Sequence, residues 1–429
     1  MTCEPHRRIA AGALAALAAL AAPAAARPVT FAEALVVAEN RSPTALAKEL
    51  EREALLEEAA VARTRPDPTL SIGVANLPVT TGDAFRFDRD DMTMKTVGVA
   101  QEFTRKSKRT ARAAAIAARA SVSAAERALV VTQVQAESAQ AWLDLYFAQA
   151  TRAELLRLRK EAELDLAAAK AAYAGGNAPR ADVIAAQAQI VAVDDRLSLA
   201  TRDMEVASAR LTRWTGADVD AAVGEPPRLE APPIDAAHLD ELIEAHPEVA
   251  VFGARSAQAQ ADVAEARADR RADWTVEAMY GQRDQGFSDM ATVTLRIPLQ
   301  LSRKNRQDRV VGARLAQAQA ATAEREDAAR LHRGEVQAGL AMWRNGRERI
   351  ARYRASLMPL AQARAEAALA AYRGGAGSLR DLVAARRARF DVAIETLALQ
   401  AETAKAWTEL RAVTGTFDAS APSAAGATK

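Results

Sequence analysis

Residues 105–173 read RKSKRTARAAAIAARASVSAAERALVVTQVQAESAQAWLDLYFAQATRAELLRLRKEAELDLAAAKAAY and decide the fold. This stretch contains no proline and no glycine, and Ala, Glu, Arg and Leu, which favour helices, dominate it. A continuous helix of this length would extend about 100 Å, because each residue adds ~1.5 Å. Helices of globular domains are far shorter. The stretch therefore predicts an elongated, mainly α-helical protein.

The chain contains an internal repeat, in which this pattern returns between residues 303 and 372. The second copy is interrupted at Gly312, Gly334, Gly339, Gly346 and Pro359. Other matching positions lie about 200 residues apart in one order, and they pair Pro43 with Pro247, Arg105 with Arg303, Tyr173 with Tyr372, and Gly216 with Gly415. Each half therefore predicts a helix, two strands, a very long helix, a glycine turn and a returning helix.

Four short segments alternate apolar and polar residues, the pattern of half-buried strands. They begin near Leu70, Val97, Trp274 and Ala291, and the last is expected to continue to Leu301. Amphipathic strands of about 9 to 11 residues fit a membrane barrel wall. Four strands leave two open edges, so such a barrel needs several chains, either a dimer with eight strands or a trimer with twelve.

The first 26 residues are predicted to be a secretory signal peptide. Arg7 and Arg8 precede an apolar stretch at 9–22, and Ala24 to Ala26 provide a cleavage motif. The alternative is an N-terminal membrane anchor. The predicted domains are a first repeat at 27–222, a proline-rich linker at 223–235, a second repeat at 236–417 and a disordered tail at 418–429.

The charge balance argues against a nucleic-acid partner, and the sequence contains no catalytic motif that would indicate an enzyme. The 57 basic and 55 acidic residues are interspersed and leave a net charge of +2. The lone cysteine, Cys3, lies within the predicted signal peptide. No cofactor and no metal is assigned, because His238 and His246 fit an acidic helix face and His332 is isolated on a charged helix. On the helices alone, a periplasmic coiled-coil scaffold, with the strands as clasps, remains an alternative.

Both glycine turns carry the same sequence pattern. The first runs YAGGNAPRAD over residues 173–182 and the second YRGGAGSLRD over 372–381. With the duplicated order of elements, these turns resemble the TolC-like outer-membrane efflux protein family. The resemblance implies a homotrimer with a 12-stranded β-barrel in outer-membrane lipid and a periplasmic α-helical barrel. It also implies a passive export conduit for small toxic solutes, working with a periplasmic adaptor and an inner-membrane pump of the resistance-nodulation-division type.

Three short stretches resemble the cobalt, zinc and cadmium resistance branch of this family. They are residues 66–70 (PDPTL), residues 101–103 (QEF) and the Lys108-Arg109 pair. That branch implies divalent metal cations as substrates. The alternative within transport is a conduit for protein secretion.

Three sets of candidate site residues follow. The resemblance implies a channel gate at the periplasmic tips, formed by Asp182, Asp381, Arg180 and Arg380. It implies adaptor contacts at the tip turns, at Tyr173, Gly175, Gly176, Tyr372, Gly374 and Gly375. Aromatic residues near strand ends, namely Phe103, Trp274 and Tyr280, are predicted to form a membrane girdle. For both aspartates, the alternative is a carboxylate that stabilises a helix N-terminus.

Overall fold

The structure is a computed structural model that describes residues 28–80, 82–216, 219, 222, 224–227, 229, 239–284, 286–413 and 417. The predicted signal peptide and the predicted tail lie outside the described residues, as does most of the predicted linker. Among the described residues, no helix combines the length and the apolar character needed to cross a bilayer.

The elements follow the predicted order, and the mainly helical fold with a small β part is confirmed. The first half contains α1 (Phe31–Arg41), α2 (Pro43–Arg63), β1 (Thr69–Ala75), β2 (Met94–Phe103), α3 (Lys106–Ala174) and α4 (Arg180–Thr215). The second half contains α5 (Leu239–Glu244), α6 (Pro247–Ala268), β3 (Trp274–Gln282), β4 (Met290–Arg296), α7 (Gln307–Arg352), α8 (Met358–Arg373) and α9 (Leu379–Val413).

The second long helix is not continuous, and its break lies just before Pro359, one of the interruptions that the sequence shows between 303 and 372. A short 3₁₀ turn, Arg303–Asn305, precedes α7, and a π-helical turn, Tyr353–Leu357, separates α7 from α8. Pro359 in the first turn of α8 explains the π-helical turn. Proline lacks an N–H and its ring clashes with the carbonyl four residues earlier, so the helix must widen or kink before it.

The strands form one four-stranded antiparallel sheet in the order β1-β2-β3-β4 within the described chain. Residues directly opposite one another in an antiparallel pair share a face. The register places Leu70, Ile72, Val97, Val99, Tyr280, Val293 and Leu295 on one face and Ser71, Thr96, Thr275, Glu277, Thr294 and Arg296 on the other. Lys95, Gln101 and Gln282 are polar exceptions on the first face.

The last strand is shorter than the sequence pattern predicts. β4 ends at Arg296, although the apolar alternation continues to Leu301. Pro298 explains the difference, because proline cannot donate a ladder hydrogen bond. Leu299 and Leu301 therefore lie outside the strand, and both are strongly exposed.

The main hydrophobic core surrounds Trp142 in the middle of α3. Trp142 is 0% exposed, donates a hydrogen bond from Nε1 to Val29 O at 2.7 Å, and packs edge-on against Phe31. A second core in the other half surrounds Trp343 on α7 and Trp407 on α9. α3 itself packs against α2, α4, α6 and α9, so it is the central support of the helical part.

Candidate functional site at the helical tips

The two glycine turns connect α3 to α4 and α8 to α9 in the same way. The ends of the helices at these turns are called the helical tips. Gly175 N donates to Ala171 O at 3.0 Å, and Gly374 N donates to Ala370 O at 2.9 Å. The next residue of each turn, Gly176 or Gly375, has a φ of +72° or +74°. Residues with a Cβ rarely adopt this conformation, so glycine is required there. The glycines thus serve the turn geometry, as the sequence predicted.

Asp182 and Arg380 meet across the two turns. Arg380 Nη2 lies 3.0 Å from Asp182 Oδ1, which links the start of α4 to the start of α9. Asp381 instead bonds within its own turn, since its N–H donates to Ser378 Oγ at 3.1 Å and Ser378 Oγ donates to Asp381 Oδ2 at 2.7 Å. Arg180 is the first residue of α4 and is exposed. Within this chain, the structure therefore brings one of the two predicted carboxylates together with one of the two predicted arginines.

A second set of charges ties α9 to α3 farther from the turns, and the sequence analysis did not identify it. Arg386 binds Asp165 directly, and Arg389 Nη2 lies 2.7 Å from Glu161 Oε1. Burial raises the pKa of Asp165 above its ordinary value, while the positive charge of Arg386 opposes that shift. These pairs join residues more than two hundred positions apart, which no local pattern reveals.

An apolar layer supports these ion pairs. Phe390 on α9 packs among Leu155 and Leu158 of α3 and Val193 of α4. Arg196 of α4 adds a further ion pair to Asp391 of α9 at 2.9 Å. The lower parts of the two helical pairs are thus held together by one apolar layer and several partly exposed ion pairs. The exposed pairs contribute little individually, about 0 to 1 kcal/mol, whereas the Arg386–Asp165 pair is largely buried.

The predicted aromatic residues lie at two levels of the sheet. Phe103 and Trp274 stack at 4.4 Å between ring centroids, at the end where the helices leave the sheet. Tyr280 lies toward the opposite end, where its hydroxyl bonds Asp289 in the loop after β3.

The structure also brings His246 and His332 together, although the sequence analysis treated His332 as isolated. Their ring centroids are 4.2 Å apart, and His332 Nε2 lies 3.0 Å from Glu248 Oε2. That expectation was wrong because the contact joins α7 to the start of α6, 84 positions earlier in the chain. Burial lowers the pKa of His246 below its ordinary value, and His332 acts in the same direction. His238 lies outside the described residues.

Comparison with solved structures finds this fold in outer-membrane channels. The chain is similar to the outer-membrane channel OprN, with a TM-score of 0.76, 18% identity, and coverage of 90% of this chain and 89% of that one. It is similar to the outer-membrane protein VceC from Vibrio cholerae, with a TM-score of 0.73, 17% identity, and coverage of 90% and 96%. The corresponding values for the CmeC outer-membrane channel of Campylobacter jejuni are 0.75, 15%, 91% and 86%.

No protein-family model and no curated protein matches the sequence. At the identities found, the solved structures establish the fold alone. The fold of the single chain that the TolC-like resemblance implied is confirmed, with nearly the whole chain included in the match.

Proposed function

We propose that this chain is a subunit of an outer-membrane channel in a tripartite efflux system, a passive conduit for small toxic solutes and not an enzyme. The fold shared with outer-membrane channels supports this role. The predicted signal peptide at 1–26 would export the chain, which would sit in the outer membrane and extend into the periplasm.

One observation carries the proposal: the apolar face of the sheet is open to the surroundings. Ile72 is 79% exposed and Val293 is 76% exposed, although both belong to regular strands. A continuous apolar face of this kind marks a surface that meets lipid or another chain. The opposite face carries polar pairs such as Arg296 with Glu277 at 2.7 Å, as expected for the inner wall of a water-filled barrel.

The open edges of the sheet argue for an oligomer. β1 and β4 are the edge strands of the described sheet, and lipid does not tolerate unpaired backbone groups. Joining β4 of one chain to β1 of the next closes a barrel, and a homotrimer provides twelve strands. Phe103 and Trp274 at one level and Tyr280 at the other would then anchor the barrel at its two interfaces.

The helical tips are proposed as the gate. Separating α9 from α3 and α4 would break the Arg380–Asp182 pair and the Arg386 and Arg389 pairs, and would widen the lower end of the conduit. That opening would be lined by four charged residues, Asp182, Asp381, Arg180 and Arg380. The tip turns, with Tyr173 and Tyr372, would contact a periplasmic adaptor connected to an inner-membrane pump, proposed to be of the resistance-nodulation-division type. Divalent metal cations are the substrate class that we propose for testing first.

The main test uses the processed protein expressed in a bacterial outer membrane and extracted with detergent. We expect a trimeric mass and small, cation-preferring single-channel currents in a planar bilayer. A protein that washes off the membrane without detergent and never inserts would contradict the channel and favour the coiled-coil scaffold. Large, permanently open pores would favour a protein-secretion conduit.

The gate assignment has its own test in the same bilayer assay. Asp381→Ala is expected to change conductance and weaken block by divalent cations, because it removes a carboxylate from the tip. Asp203→Ala, on α4 and far from the tip, is the control. Unchanged conductance and block in Asp381→Ala would remove Asp381 from the gate.

A further inference from the structure

His246, Glu248 and His332 form a cluster of metal-binding side chains far along the chain from the tip turns. One nitrogen of each imidazole and one carboxylate oxygen of Glu248 lie within 4.8 Å of one another. The cluster joins the start of α6 to the middle of α7. It belongs neither to the sheet nor to the tips, so the proposed channel function does not use it.

The internal repeat shows that a histidine is not needed at position 246 for the fold. His246 caps α6 immediately before Pro247, and its equivalent in the first half is Ser42, which caps α2 immediately before Pro43. Ser42 Oγ accepts the hydrogen bond from Ala45 N at 3.2 Å, the usual capping arrangement. The same helical start is thus built with a small hydroxyl in one half and with an imidazole in the other.

Each imidazole has an oxygen atom close to the ring nitrogen that would not bind a metal. His246 Nε2 lies 3.1 Å from Ala412 O at the end of α9, and His332 Nδ1 lies 3.0 Å from Glu335 Oε2. Metal-binding histidines are commonly oriented in this way, by a carbonyl or a carboxylate on the nitrogen that does not bind the metal. The remaining nitrogens are His246 Nδ1, which accepts from Glu248 N at 3.2 Å, and His332 Nε2, which faces the Glu248 carboxylate.

Burial distinguishes this cluster from a surface ion-pair network. His246 and His332 are each only 4% exposed, whereas the Glu248 side chain is 40% exposed. His332 Nδ1 is fully buried and forms no well-aligned hydrogen bond within the described chain, even though Glu335 is close. The two buried imidazoles thus meet a carboxylate that reaches the solvent side.

We propose that His246 Nδ1, His332 Nε2 and Glu248 Oε2 bind a divalent transition metal, with Zn²⁺ as the preferred ion. Two imidazoles and one carboxylate are a ligand set that suits Zn²⁺, and water would complete the coordination from the exposed side. Binding would replace the Glu248 N–H contact at His246 Nδ1 and the His332–Glu248 hydrogen bond with bonds to the ion. The ion would tie α6 to α7 beside the end of α9.

The experiment measures Zn²⁺ binding to the detergent-purified full-length protein after removal of metals with a chelator. Competition with a chromophoric zinc indicator should give one site per chain, with micromolar or tighter affinity. Co²⁺ should give the visible absorption of a tetrahedral nitrogen and oxygen site. Glu248→Gln, which keeps size and lies at the partly exposed position, should weaken Zn²⁺ binding at least tenfold, and so should His332→Gln.

Glu326→Gln, an exposed change on α7, is the matched control and should leave the affinity unchanged. Helical content and oligomer mass, measured for every variant, identify any protein that fails to fold, and Glu248→Gln keeps the test decisive if His332→Gln does not fold. Wild-type protein without a stoichiometric site, or equal affinity in wild type and Glu248→Gln, would overturn the proposal. The assay uses no current measurement, so either result leaves the channel proposal to its own test.

Discussion

α3 and the α7–α8 segment occupy the same place in the two halves of the repeat, yet only α3 is continuous. α3 runs for 69 residues without proline or glycine inside it. Its counterpart is divided by the π-helical turn at Tyr353–Leu357, and α8 then begins with Pro359 in its first turn. The long helix of the first half is therefore unbroken, whereas that of the second half is divided by a π-helical turn.

The two long helices also pack differently, α3 through large side chains and α7 through glycines. α3 is buried through large side chains at its centre, including Trp142, Leu143 and Leu145. α7 approaches α9 through Gly339 and Gly346, where a side chain would overlap Leu410 or Thr403. The π-helical turn is connected to α9 by a hydrogen bond from the Tyr353 hydroxyl to Glu395 at 2.6 Å. The two halves therefore share the length of the repeat unit but differ in the continuity of its long helix.

The largest expected effect comes from removing the centre of α3. Trp142→Ala should destabilise the protein by about 3 to 5 kcal/mol, because it leaves a cavity and an unpaired Val29 carbonyl. The midpoint of thermal unfolding in detergent, followed by circular dichroism, measures this change. Trp343→Ala on α7 is the matched variant. Trp343→Ala should destabilise the protein less than Trp142→Ala. An equal or larger loss of stability in Trp343→Ala would contradict the central role of α3.

A smaller effect tests the close approach of α7 to α9. Gly346→Ala places a methyl group against Thr403 and should destabilise by about 1 to 3 kcal/mol, the usual cost of overpacking. Gly312→Ala, on the same helix, meets no atom within 4 Å among the described residues and should stabilise by up to about 1 kcal/mol. The same unfolding assay compares them. Stabilisation at both positions would show that helix propensity, not contact, decides both.

The third prediction concerns the contact between α9 and α3. The double variant Arg386→Ala with Arg389→Ala removes the pairs to Asp165 and Glu161. It should lower stability by about 1 to 3 kcal/mol, because it leaves the buried Asp165 carboxylate without its Arg386 partner, and it should raise single-channel conductance. Arg157→Ala, whose partner Glu154 lies on its own helix, is the control and should leave conductance unchanged. A double variant with wild-type conductance would show that these pairs do not restrain the opening.

The smallest expected effect is a pH dependence of stability that arises from Glu126 on α3. Glu126 accepts from Lys48 of α2 and Arg255 of α6, both at 2.8 Å, and the Lys48 hydrogen bond chiefly holds the pKa of Glu126 below its ordinary value. A lowered folded-state pKa gives stability that is complete above the unfolded-state value, about 4.3, and is lost as pH falls through the folded-state pKa. Its loss should cost about 1 kcal/mol or less.

Unfolding midpoints of wild type and Glu126→Gln, measured from neutral pH downward, test this dependence. The two proteins should differ at neutral pH and converge in acid. Glu244→Gln serves as the comparison in the second half, because Glu244 forms a more exposed pair with Arg325. A difference between wild type and Glu126→Gln that grows as pH falls would reverse the assigned sign.

Local patterns predicted most of the elements because helix propensity and strand alternation act over neighbouring residues. The repeat then placed the hairpins and the turns in equivalent positions. The pattern overextended β4 because apolar alternation continues through Pro298, and it did not locate the π-helical turn that Pro359 requires.

The ion pairs of Arg386 and the contact of His332 with His246 depend on how distant helices pack, so no short stretch contains them. One local signal was available for the histidines. His246 precedes Pro247 at the position that Ser42 occupies in the first half, and this replacement marks an unusual helix cap.

The bare apolar face of the sheet also has a consequence for biogenesis. In the proposed channel, a single exported chain would carry Ile72, Val293 and two unpaired strand edges through water before it met lipid and its sister chains. Such an intermediate is prone to aggregate, and its lifetime lengthens as chain concentration falls, because assembly requires encounters between chains. Cells that make this protein slowly would therefore depend most on periplasmic chaperones that shield the sheet until the ring of strands has closed.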